Sequence, residues 1–215
     1  MRPVIEITHL SKSFGDTKVL KDINIAFEPG KIHGIVGRNG SGKTVLFKSI
    51  CGFFHVEEGS IRVRDVYLEK EKKIPEGIGV IIETPGFLPN YTGYKNLEFL
   101  YQICHKKDKK KIQNAMALVG LDPYLKRHVG KYSLGMRQRL GIAQAIMEEP
   151  DILVLDEPMN GLDKDGVADM RKLFLQLKAQ GKTMLIASHN PLDIELLCDT
   201  VYEMDAGVLS RMHES

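Results

Sequence analysis

Apolar residues along this 215-residue chain recur with two periods, and the change from one to the other divides it. Up to residue 83, short apolar or alternating runs predict strands: Val4 to Thr8, Ile23 to Phe27 (ended by Pro29-Gly30), Ile32 to Val36, Ile61 to Val66, and Gly79 to Ile82, which ends at Glu83. A helical pattern runs from Lys43 to Gly52 among them, with Gly52 as its stop. Thr84 to Tyr94 holds Pro85, Gly86, Pro89 and Gly93 and predicts a loop. From Tyr94 to Met147 the period is helical throughout, with helices predicted over 96–104, 110–119 and 134–147. After Pro150 the alternation of strand and helix resumes. Asp151 to Leu155 and Thr183 to Ala187 are buried strands, Val167 to Ala179 and Pro191 to Cys198 are helices, and Val201 to Met204 with Val208-Leu209 are short closing strands. Apolar strands separated by helices imply a parallel sheet covered on both faces.

One stretch in this pattern carries chemistry. Gly37-Arg38-Asn39-Gly40-Ser41-Gly42-Lys43-Thr44 follows an apolar strand and opens a helix, and it is a complete phosphate-binding loop. Its glycines let backbone N–H groups approach phosphate oxygens, where a Cβ would block them. The helix start adds its positive end, Lys43 adds a full charge for the outer phosphates, and the Thr44 hydroxyl is placed for Mg²⁺. The alternative is an ordinary glycine-rich turn, which does not account for the strand before it and the helix after it.

A second cluster ends the strand at 151–155. Asp156 and Glu157 are adjacent acids at a strand tip, expensive to bury without a compensating cation. Beside a phosphate loop, Asp156 fits a ligand of Mg²⁺ and Glu157 a base that polarises the attacking water; the plainer role for Glu157 is a cap on the following loop. Ala187-Ser188-His189 ends the next buried strand. There His189 either hydrogen-bonds structurally or, at the carboxyl edge of the sheet, contacts the terminal phosphate or positions water.

Composition narrows the rest. A hydrophobic content of 43% suffices for a sizeable core, and a net charge of +2 gives no electrostatic case for nucleic acid. The basic run His105 to Lys111 reads as a solvated loop and helix start. Cys51, Cys104 and Cys198 show no paired spacing, which argues for reduced thiols in the cytosol, with Cys51 and Cys198 in the core. The N-terminus lacks signal-peptide architecture, and no apolar run approaches the roughly 20 residues that span a bilayer.

Tyr132-Ser133-Leu134-Gly135-Met136-Arg137-Gln138-Arg139-Leu140 adds a family signal: the chain resembles, over nearly its whole length, the ATP-binding subunits of ABC transporters. Ser133 and Gly135 match that family's Leu-Ser-Gly-Gly-Gln signature, while Tyr132, Leu134 and Met136 depart from it. Ser133 is also a good N-cap for the helix that follows. The stretches around Ile82-Glu83-Thr84-Pro85-Gly86-Phe87 and Ser133 to Ala143 further resemble bacitracin and lantibiotic resistance exporters.

The resemblance implies an α/β fold: a P-loop NTPase core with a mainly parallel sheet, an N-terminal antiparallel β-subdomain and an inserted helical subdomain. Residues 1–83 and 148–215 would form the core with its β-subdomain, and 84–147 the helical subdomain. It implies ATP and Mg²⁺ as cofactors, with Phe14 stacking on adenine and Glu83, in place of the usual Gln, acting on the metal or the water. It implies a head-to-tail dimer, of two copies or with a similar subunit. Ser133, Leu134, Gly135 and Met136 would reach ATP held by the opposite protomer, and Asn160, Gly161, Leu162 and Asp163 would cross the interface. Membrane permease subunits would be driven through a groove beside Glu83, for which Phe87 and Tyr91 are lining candidates unless they pack within their own loop. The expected activity is ATP hydrolysis powering transport, with a lean to export, on the cytoplasmic face of the membrane. A soluble relative in translation or DNA repair, or a regulatory module without useful catalysis, are the alternatives.

Overall fold

The computed structural model describes residues 2–68 and 75–212, arranged around two sheets. The first is antiparallel. β1 (Ile5–Phe14) lies between β2 (Thr17–Phe27) and β4 (Glu58–Val63), and β5 (Val66–Tyr67) pairs with β4. Both leading strands outrun the alternation that predicts them. β1 continues past Thr8 through register shifts after Ile7 and Leu10, with His9 at φ +51°. A bulge breaks the two-residue period without ending the strand. The single strand expected over Ile61 to Val66 is instead two. Arg64, at φ +54°, and Asp65 reverse the chain, so that Val66 pairs back on Val63. That turn contains neither glycine nor proline, and so gives no sequence signal.

The second sheet has six strands. In chain order they are β3 (Ile32–Val36), β6 (Ile78–Ile81), β7 (Ile152–Asp156), β8 (Thr183–Ala187), β9 (Thr200–Asp205) and β10 (Val208–Arg211). In space they run β10-β9-β3-β8-β7-β6, parallel except for β10 on β9. Their side chains alternate between two cores. Leu153 and Leu155 of β7 pack with Met184 and Ile186 of β8 against the helices. Ile152 and Val154 pack with Leu185, Ala187 and Ile35 against the first helix and the antiparallel sheet. Burying each such aliphatic side chain stabilises by about 1.5–3 kcal/mol, so both faces of the sheet are strongly held.

Register levels the strand tips that matter. Ala187 of β8 pairs with Asp156 of β7 on one side and with Ile35 of β3 on the other. The loops leaving β3, β7 and β8 therefore emerge side by side at one carboxyl edge, the usual ligand edge of such a sheet.

The helices follow the predicted order. They are α1 (Lys43–Ile50), α2 (Gly93–Cys104), α3 (Lys109–Leu118), α4 (Leu134–Ile146), α5 (Lys164–Ala179) and α6 (Pro191–Leu197). Two start three residues before the apolar pattern does, because a side chain caps them there: Thr92 for α2 and Asp163 for α5. The basic run behaves as a loop and helix start. Asp108 caps α3, and His105, Lys107 and Lys111 pair with Glu148, Glu98 and Glu149. Among the described residues no helix is long and apolar enough to cross a membrane. Cys51 is buried and Cys198 half-buried, so only the first is fully core; burial pushes both thiols up to about 12, while Cys104 is exposed.

His33 of β3 is buried, with its ring nitrogens against the Thr200 hydroxyl (2.7 Å) and the Glu28 carbonyl (2.9 Å). Burial pulls its pKa below the ordinary 6.5, and the carbonyl contact only partly opposes this. The unfolded chain therefore binds the proton first. The stability that neutral His33 contributes is complete above about pH 6.5 and is lost as pH falls through the folded value. One such proton changes stability by at most about 1.4 kcal/mol per pH unit. The urea midpoint should fall between pH 7.5 and 5.5, and His33→Gln should flatten that fall. An unchanged slope in the variant would place the acid sensitivity elsewhere.

Candidate active site

The loop after β3 is built for close approach. Gly37 sits at φ +145°, and a Cβ there would lie 2.2 Å from the Met204 carbonyl oxygen, so no other residue fits. Lys43 is buried and folds back over the loop, its Nζ donating to the carbonyls of Gly37 (2.7 Å) and Arg38 (3.0 Å). Arg38, Asn39 and Gly40 form the exposed rim. The Ser41 hydroxyl is buried with no hydrogen-bond partner among the described residues.

The start of α1 differs from that of every other α-helix described. Side chains of Thr92, Asp108, Ser133, Asp163 and Asn190 cap the other five, whereas Gly42 offers α1 none. The first-turn N–H groups of α1 are left to an outside acceptor, and an anion suits them and the helix dipole.

At the neighbouring tip, the Thr44 hydroxyl donates to Asp156 Oδ2 at 2.7 Å. Among the described residues no cluster of three His, Cys, Asp or Glu side chains is placed to hold a metal. A hydroxyl and one carboxylate are hard oxygen donors, the set that suits Mg²⁺ when phosphates and water complete the shell.

Glu157 takes a left-handed backbone, φ +50°, directly after β7. Its N–H donates to the Ala187 carbonyl (3.0 Å) and its own carbonyl accepts from the Asn160 N–H (3.1 Å), which closes the following turn. The carboxylate Oε2 lies 2.8 Å from His189 Nδ1, so the two strand-tip residues meet directly. Glu157 thus closes the following turn with its backbone, and its carboxylate faces His189.

Glu83 also has a left-handed backbone, φ +61°, and accepts a hydrogen bond from Lys48 Nζ at 2.6 Å. Lys48 lies one turn beyond Thr44 on α1, and it supplies a counter-charge that the sequence alone does not reveal. The carboxylate is 63% exposed, so the pair is worth no more than about 1 kcal/mol.

These groups share one cleft of about 580 Å³, lined by Asn39, Gly40, Gly42, Lys43, Thr44, Glu83, Asp156, Glu157 and Asn160, with Leu134 and Gln138 at its far side. Gly37, Arg38 and His189 face an adjoining larger cavity beside α6 and β9, which holds none of the Thr44, Asp156 and Glu157 group. Three of the four signature residues, Ser133, Gly135 and Met136, do not line the cleft; the Ser133 hydroxyl accepts from the Met136 N–H (3.1 Å). Leu134 packs on the loop after β7, its side chain 2.5 Å from where a Cβ on Gly161 would stand, so Gly161 at φ +76° has to be glycine. Leu162 packs against the helical core and Asp163 caps α5. Phe14 is 45% exposed outside the cleft, edge-on to Phe54 at 5.3 Å, with Lys12 over its ring. Phe87 packs on the helical core and Tyr91 meets Phe99 edge-on, so both make local contacts.

Two residues of the site go unnoticed in the sequence. Lys48 reads there as an ordinary surface lysine. Gln138 lies one turn after Leu134 on α4, a spacing that puts both on one helix face and is the signal that could have found it.

Comparison with known proteins agrees with this geometry. The family described as ABC transporter matches residues 20–160, well over half the chain. An uncharacterized ABC transporter ATP-binding protein, YybJ of Bacillus subtilis, is 43% identical over 206 residues, covering 96% of this chain and 94% of that protein. The bacitracin transport ATP-binding protein BcrA of Enterococcus faecalis is 41% identical over 211 residues, covering 97% of this chain and 68% of BcrA. The dimeric, post-hydrolysis structure of the ATP-binding cassette MJ0796, bound to ADP and Pi, superposes with a TM-score of 0.87 over 98% of this chain and 100% of that one; at 18% identity this likeness speaks for the fold alone. With an antiparallel sheet, a mainly parallel sheet, a helical region and a phosphate loop at the carboxyl edge, the chain belongs to the ABC transporter family as an ATP-binding subunit that hydrolyses ATP.

Proposed function

We propose that ATP binds with its phosphates on the loop from Gly37 to Thr44 and that Glu157, held by His189, takes the proton from the attacking water. The observation that carries this reading is the convergence in one cleft of an uncapped helix start, the Lys43 ammonium, the Thr44–Asp156 pair and the Glu157 carboxylate. Lys43 exchanges its two loop carbonyls for phosphate oxygens. Ser41 finds in a phosphate the partner it lacks among the described residues. Thr44 and Asp156 would hold Mg²⁺, which would neutralise charge on the phosphates. Water attacks the terminal phosphorus, its proton passes to Glu157, and the bond to ADP breaks. Phe14, half-exposed, stacks on adenine. Glu83, paired with Lys48, would orient the water or bind the metal.

In the transport reading, two copies, or this chain and a similar subunit, enclose ATP between the phosphate loop of one and the start of α4 of the other. The loop Asn160 to Asp163 crosses between them. Closure on ATP and opening after hydrolysis move permease subunits in the membrane, which places the chain on the cytoplasmic face. BcrA carries the name of bacitracin transport, which supports an antimicrobial peptide as cargo. Residues 84–147 act as a helical subdomain and the remainder as the core.

The test is direct. With ATP and Mg²⁺ the purified chain should release phosphate and shift to dimer. Chelation by EDTA should abolish release. Phosphate release that survives chelation would remove Thr44 and Asp156 as a metal site, and no ATP-dependent change in mass with hydrolysis blocked would remove a dimer of two copies.

A further inference from the structure

We propose that Gln138 is a positioning residue for Glu157, tying the first turns of α4 to the turn that carries the base. This inference rests on the proposed role of Glu157. The Gln138 amide Nε2 donates to the Glu157 carbonyl (3.2 Å) and to the Pro158 carbonyl (2.9 Å). An amide nitrogen has two hydrogens, so both bonds form at once. They grip the chain at a strained point: Glu157 holds a left-handed φ of +50°, a conformation that a non-glycine residue keeps only when its surroundings impose it.

The other restraints on this residue come from its own side of the site. The Glu157 N–H is tied to β8, its carbonyl to Asn160 two residues past Pro158, and its carboxylate to His189. Gln138 is the side-chain tie from α4, the helix whose first turn begins at Leu134 and packs on Gly161. Pro158 has no N–H and is buried, so without the amide its carbonyl would lose this donor in the protein interior. Relaxation of the 157–158 segment would move the carboxylate relative to the terminal phosphate. A misplacement of about 1 Å costs on the order of 10²-fold in rate. Nucleotide affinity would be untouched, since Gln138 bonds neither the phosphate loop nor the Thr44–Asp156 pair. Movement at the start of α4, in turn, would be felt at the base.

The experiment uses the full chain and two variants. Gln138→Glu keeps the shape and presents oxygens that cannot donate when ionised, and Gln138→Met keeps the length without polar atoms. Both should lower kcat by about 10- to 100-fold while leaving KM and ATP affinity within threefold of the parent. In a Glu157→Gln background, single-turnover measurements with labelled ATP should show no further loss from either change. Parent-like kcat in both variants overturns the inference, as does a full additional loss in the Glu157→Gln background or a loss confined to ATP affinity. If Glu157→Gln itself turns over like the parent, the base assignment falls first, which separates that failure from this one.

Discussion

Glu157→Gln is expected to bind ATP normally and to lose nearly all turnover. A positioned general base contributes roughly 10²–10⁴-fold, and an amide cannot take the water's proton. The substitution keeps the size of the side chain and a polar contact to His189, now 2.8 Å from the carboxylate. The local geometry is therefore retained and the chemistry alone is removed. With ATP intact, the closed pair of protomers has nothing to open it, so the variant should accumulate as an ATP-bound dimer, seen by light scattering after gel filtration. Undiminished hydrolysis would remove Glu157 as the base. Lost hydrolysis with no dimer would keep the base and remove the coupling between cleavage and opening.

Lys43→Ala should act a step earlier, on binding itself. Charge-assisted hydrogen bonds contribute about 1.5–3 kcal/mol each, so removing the ammonium should weaken ATP by roughly 10- to 100-fold. The lysine also ties the Gly37 and Arg38 carbonyls together, and its loss should loosen the loop as well as uncharge it. Calorimetric titration with ATP reads the affinity, and a thermal melt of the nucleotide-free chain reads the loop. Unchanged affinity would contradict the role of the phosphate loop. An affinity loss with an unchanged melt would assign the whole effect to the missing charge.

What the sequence discloses here is chemistry compressed into contiguous residues. Gly37 to Thr44 lies in one run, and Asp156 and Glu157 end an apolar strand, so both sites are legible before any fold is known. The six-strand sheet follows from apolar runs that alternate with helical ones, and its parallel order brings Ile35, Asp156 and Ala187 level. What stays hidden depends on contacts distant in sequence or on backbone without special residues. The turn at Arg64-Asp65 and the bulge at His9 are left-handed in residues that seldom announce it. The Lys48–Glu83 pair spans 35 positions, and Gln138 reaches carbonyls 19 and 20 positions away, which no local period encodes. The departures Leu134 and Met136 also change meaning in three dimensions. Leu134 fills the space above Gly161, and the Met136 N–H serves the Ser133 cap, whatever its side chain can or cannot bond.

The left-handed turn at Glu157 sets two kinds of selection against each other. A glycine there would relieve the backbone and make the cassette harder to melt, yet it would remove the carboxylate proposed as the base. Lineages favoured for heat tolerance and lineages favoured for pumping rate would thus be driven toward opposite choices at position 157. Gains in robustness should accumulate in the two cores rather than at this edge.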